Sequence, residues 1–65
     1  MIEGRAETPA QKRAVMDLLL DAWLKVPELR LGQLFMGATN GRDIFYVEDY
    51  RLVEELEEFV KRDDL

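Results

Sequence analysis

Apolar residues recur at helical spacing in three stretches of the chain. The clearest is the last, where Leu52, Val53, Leu56, Phe59 and Val60 form one stripe about 120° wide. Glu54, Glu55, Glu57 and Glu58 fall outside that stripe as a solvated face, and Lys61 and Arg62 suit the negative C-terminal end of the helix. Glu57–Lys61 and Glu58–Arg62 are supporting pairs at four-residue spacing. Asp49 is the predicted N-cap. A shorter helix is predicted within "RLGQLFMGAT", with Leu31, Leu34, Phe35 and Ala38 on one face. Gly32 and Gly37 each weaken it by about 1 kcal/mol relative to alanine, but a missing side chain lets another helix approach closely. "TNGRD" then predicts a left-handed terminating residue at Asn40 or Gly41.

The first helix differs from the third. "TPAQ" marks its start: Thr8 as N-cap, Pro9 at the first helical position, Gln11 as capping-box partner. The pattern carries it to about Lys25, ahead of Pro27. Around its axis, Leu18, Ala22, Val15, Val26, Leu19, Trp23, Met16, Leu20 and Leu24 fill a continuous arc of about 240°. Arg13, Asp17, Asp21 and Lys25 make a narrow polar ridge opposite. Two short helices cannot easily cover so wide an arc. Either this helix is central, with everything else packed around it, or Met16, Leu20, Trp23 and Leu24 form a seam with a second copy or a different protein.

Between the second and third helices, "DIFYV" is predicted as an extended aromatic linker. Strand-like alternation would send Phe45 and Val47 one way and Ile44 and Tyr46 the other. Its main expected role is to close the core over the first helix, leaving Tyr46 or Tyr50 only partly buried. Met16, Leu20, Trp23, Leu24, Phe45, Tyr46 and Tyr50 are therefore the candidate interface residues.

Composition narrows what such a domain can do. At 65 residues the chain is one domain, and a core of this size rarely supplies more than about 3–5 kcal/mol without a staple. There is no cysteine and no histidine. Disulfides and thiolate zinc sites are out, and the commonest metal ligand and general base are missing. Self-association or unusually good helix packing is left to supply stability. Asp43, Glu48 and Asp49 do not follow calcium-loop spacing, and "GATNG" lacks the Gly-Lys-Ser/Thr ending of a phosphate loop. No catalytic, cofactor or metal site is predicted, and enzyme function is the least supported class.

Charge is uneven: residues 1–42 carry six Lys/Arg and five Asp/Glu, residues 43–65 three and nine, giving the net −5. An acidic chain repels a phosphate backbone, so nucleic acid is a poor partner. A dimeric helix-turn-helix-like DNA-binding protein would have to gather Lys12, Arg13, Arg30 and Arg42 on one face. Residues 1–7 are expected to be a disordered N-terminus and 8–65 the folded three-helix domain. With no apolar run near the ~18 residues of a membrane span and no secretory h-region, the expected location is cytoplasmic.

The residues Trp23, "PELRLGQL" at 27–34, "DIFYVED" at 43–49, and Leu52 with Leu56 together resemble a set of short bacterial and phage proteins of unassigned function. A weaker likeness, through "AWLKVPELRLGQL", is to the YihD-like proteins. In the first set an acidic Glu-Asp-Asp-Glu-Leu often follows, where this chain has Tyr50 and Arg51 after Asp49. The resemblance implies a small intracellular domain and supplies no activity. The expectation is thus an all-α adaptor or protein-binding domain that forms a homodimer through helix one. The alternative is a phage or mobile-element regulator or inhibitor that binds a host protein.

Overall fold

The computed structural model describes residues 4–63 and contains three helices, α1 (Pro9–Leu24), α2 (Leu31–Thr39) and α3 (Asp49–Asp63). No strand occurs among the described residues. The start of α1 is set by the capping box: Gln11 N–H donates to Thr8 Oγ1 at 3.1 Å, and Gln11 Oε1 accepts from Thr8 N–H at 3.0 Å. Its C-cap, Lys25, opens a run of turns in which Val26 N–H donates to Trp23 O and Leu29 N–H to Val26 O, both at 3.0 Å. The Trp23 indole N–H pins that connection through a 2.7 Å bond to Leu29 O. Asn40 ends α2 in the left-handed region at φ 56°, and Gly41 N–H closes back on Met36 O at 3.1 Å. This is the Schellman arrangement, and it satisfies carbonyls the helix end would leave open.

α3 is the central element. It packs against both α1 and α2, which meet each other little. The core joins Leu19, Ala22 and Val26 of the first helix and its connection to Leu34 of α2 and Leu56 and Val60 of α3, with Trp23, Leu29, Phe35, Ala38, Leu52 and Phe59 packed around it. The arrangement with helix one at the centre is therefore incorrect. The reason lies at Gly37, where a Cβ would stand 2.5 Å from Phe59 Cζ. The bare glycine lets α2 settle onto Phe59 of α3, so the short helix is spent there and not on the far side of α1. α1 and α3 run in the same direction: Lys12 shares a cleft with Glu48 and Asp49, while Asp21 and Lys25 share another with Glu57 and Lys61.

Three further expectations need correction. Asp49 is the first residue of α3, and its carboxylate does not cap it; the Glu48 carbonyl accepts the first helical bond, from Leu52 N–H at 3.0 Å. Asp49 Oδ2 instead accepts from Ala6 N–H at 2.8 Å. The disorder expected of residues 1–7 does not hold for Gly4–Glu7, whereas residues 1–3 lie outside the described residues. Gly4 O accepts from Tyr50 N–H at 2.9 Å, one of the donors that a helix start leaves without an internal partner. Ala6 is buried, and Arg5 Nε and Nη2 form a fork on the Glu48 carboxylate at 2.9 and 2.7 Å. This N-terminal strap caps α3.

The third correction concerns the aromatic linker, which is not extended. Val47 N–H donates to Ile44 O at 3.1 Å, closing a four-residue turn. Asp43 Oδ1 supports it by accepting from Phe45 N–H at 3.0 Å. A turn abolishes the period of two, so the pairs divide differently: Ile44 and Val47 are half-buried, and Phe45 and Tyr46 stand out at the tip. The segment does not close the core: Ile44 and Val47 are half-buried but belong neither to the core cluster nor to the apolar residues packed against it.

Candidate interaction surface

The wide apolar arc of α1 is covered on one side only. Leu19 and Ala22 are buried and Val15, Leu18 and Trp23 half-buried, all toward the core side of the wheel. The other edge is open, with Met16 57%, Leu20 48% and Leu24 64% exposed at successive four-residue steps. Four residues is just over one turn, so the three lie in a row, about 12 Å from first to last. Beside the row is a groove of about 300 Å³ lined by Met16, Leu19, Leu20, Trp23 and Leu31, with Asp17 at its margin. Its floor is almost wholly apolar. Leu31, which helical spacing puts on one face with Leu34, Phe35 and Ala38, stands at the first position of α2 and lines this groove. Met36 is a further exposed apolar residue that helical spacing did not single out.

The second element is the Phe45–Tyr46 tip, with the two residues 79% and 87% exposed. Their rings meet edge to face, centroids 4.9 Å apart at 71°, the geometry that aromatic quadrupoles favour. They line a cleft of about 500 Å³ with Arg5, Ala6, Lys12, Val47, Glu48 and Asp49. Lys12 lies one turn before Met16, so the tip stands at the N-terminal end of the exposed α1 row.

Of the seven candidate interface residues, Met16, Leu20 and Leu24 form the row, and Phe45 and Tyr46 form the tip. Trp23 is half-buried: its ring faces the groove, and its N–H is committed to Leu29. Tyr50 is half-buried and contributes its backbone to the strap.

The charged groups nearby are mostly committed to structure. The Glu48 carboxylate raises the Arg5 pKa above its ordinary value, by hydrogen bonding first and by charge second. Both groups are solvent-accessible, so the pair adds little stability. Arg42 donates to Thr39 O at 2.9 Å and pairs with Glu55. Asp43, Glu48 and Asp49 each serve a turn or the strap, and no group of three acidic side chains among the described residues is placed to hold a metal ion. No described helix is long and apolar enough to cross a membrane. No family model matches the chain, and no curated protein or solved structure matches it.

Proposed function

We propose that this chain is a small protein-binding domain that self-associates through the open face of α1. The observation that carries the proposal is the unbroken row Met16–Leu20–Leu24 beside an apolar groove, exposed among the described residues.

Magnitudes set how strong the association can be. The exposed fractions of Met16, Leu20 and Leu24 amount to between one and two whole side chains. At about 1.5–3 kcal/mol per fully buried side chain, a symmetric pair gains about 5–10 kcal/mol. Association costs about 4–15 kcal/mol in lost freedom. The row alone is therefore marginal, and a stable dimer needs further apolar area.

The test is Leu20→Glu, followed by sedimentation equilibrium and circular dichroism. A dimer that becomes a folded monomer supports the proposal. A wild-type chain that is already a folded monomer contradicts it, and would assign the same face to a different protein, as a regulator binding a host protein requires. DNA binding is the weaker reading, because Arg5 and Arg42 are held by Glu48 and Glu55.

A further inference from the structure

We propose that Asn40–Gly41 is a self-modifying site: Asn40 deamidates through a cyclic imide when the C-terminal cap of α2 opens, and the isoaspartate that results keeps the cap from closing again. The proposal is independent of self-association.

The reaction needs only water. The Gly41 nitrogen attacks the side-chain carbonyl carbon Cγ of Asn40 and gives up its proton, and the side-chain nitrogen leaves as ammonia, which closes a five-membered imide. Water then adds to one of the two imide carbonyls. Breaking the bond from nitrogen to Cγ leaves aspartate. Breaking the bond from nitrogen to the main-chain carbonyl carbon leaves isoaspartate, whose backbone is longer by one methylene. A following glycine favours ring closure because it has no side chain to hinder its nitrogen. Position 40 holds the chain's one asparagine, and it and Gly41 are both exposed.

The fold holds this reactive pair out of reach of itself. Ring closure needs the Gly41 nitrogen on the same side of the Cα–C bond as Asn40 Cβ. With Asn40 left-handed at φ 56° and ψ 34°, that nitrogen lies almost anti to Cβ and away from Cγ. Gly41 N–H is also donated to Met36 O at 3.1 Å, so turning ψ into reach breaks the bond that closes the cap. Arg42 fastens the next turn. Its backbone N–H and its Nε donate to Thr39 O at 3.1 and 2.9 Å, and its guanidinium pairs with Glu55 of α3. The native rate is therefore the rate of the open chain multiplied by the fraction of time the cap is open.

The two products fit the fold differently. Aspartate tolerates the left-handed region as asparagine does. Its charge would face the negative end of α2, but position 40 shares a cleft with Arg62, which offsets that cost. Isoaspartate runs the chain through its β-carbon, so the φ and ψ that turn Gly41 back onto Met36 O no longer exist. Gly37, which seats α2 on Phe59, is only three residues away. The isoaspartyl product thus makes a transient opening permanent.

The test incubates the full-length protein at mildly alkaline pH, with and without denaturing guanidinium chloride. Peptide mapping follows deamidation at position 40, and enzymatic methylation detects isoaspartate. The expected result is deamidation in denaturant that is slowed about tenfold or more in the native protein. Arg42→Ala should raise the native rate severalfold and leave the rate in denaturant unchanged, because it loosens the cap without touching the ring-forming atoms. Equal rates with and without denaturant, or no deamidation in either, overturn the proposal. For the products, Asn40→Asp should keep the wild-type helix content, while purified isoaspartyl protein should lose hydrogen-exchange protection at the Gly41 amide. An isoaspartyl protein with wild-type protection there overturns the loss of the cap.

Discussion

Replacing Gly37 by alanine is the sharpest probe of how α2 and α3 meet. In an isolated helix the change is favourable by about 1 kcal/mol. Here the new methyl would stand 2.5 Å from Phe59 Cζ, 2.8 Å from Cε1 and 3.1 Å from Cε2. Carbon atoms attract best at about 3.5–4.0 Å, so the ring or the helix must move by about 1 Å. Overpacking of this kind costs about 1–3 kcal/mol, and a displaced Phe59 also loses contacts in the core cluster. The expected net effect is a destabilisation of about 1–2 kcal/mol, a large part of what so small a core supplies. Gly32 is the matched control. It lies in the same helix, with nothing within 4 Å of its Cβ position, and alanine there should stabilise by up to about 1 kcal/mol. Urea unfolding followed by circular dichroism measures both. With a slope near 1 kcal/mol per molar for a small domain, the two variants should separate by about 2 M in midpoint. A second step tests the cause: adding Phe59→Leu to Gly37→Ala should recover part of the loss, a coupling that additive effects would not produce. If Gly37→Ala is as stabilising as Gly32→Ala, Phe59 does not lie over Gly37, and the placement of α2 on α3 is wrong.

Other outcomes follow from the same contacts. Leu34 is wholly buried, and Leu34→Ala should cost about 2–5 kcal/mol, enough to leave the chain largely unfolded by circular dichroism at 25 °C. Asp49→Ala removes the acceptor for Ala6 N–H, so hydrogen exchange at the Ala6 and Tyr50 amides should accelerate together; Asp49→Asn, which keeps an acceptor oxygen, should restore much of the protection. If only Ala6 responds, the Gly4–Tyr50 bond does not depend on the strap. Leu20→Glu should abolish the proposed self-association while leaving the far-ultraviolet spectrum intact, because Leu20 lies outside the core cluster.

Helix limits were legible because they depend on neighbours in sequence. Thr8, Pro9 and Gln11 start α1, and Asn40 with Gly41 stops α2, each within one turn of the bonds it makes. The excess width of the apolar arc on α1 was legible too, since periodicity alone reveals it. The strap was not. Arg5 and Glu48 are 43 residues apart, and a contact at that separation leaves no periodic trace. The same holds for the central place of α3, which rests on contacts with both other helices, the fit of Gly37 to Phe59 among them. The aromatic linker was not legible, because a period of two holds only for an extended chain and this segment turns. Once Ile44 and Val47 close the turn, Phe45 and Tyr46 point outward together, and a surface feature takes the place of a core one.

Sedimentation equilibrium of the unmodified chain, over a wide concentration range and at low and high salt, bears most directly on self-association through α1. A reversible dimer is predicted, weakened little by salt because the contact is mainly apolar and screening acts on charges. A folded monomer throughout that range would contradict it.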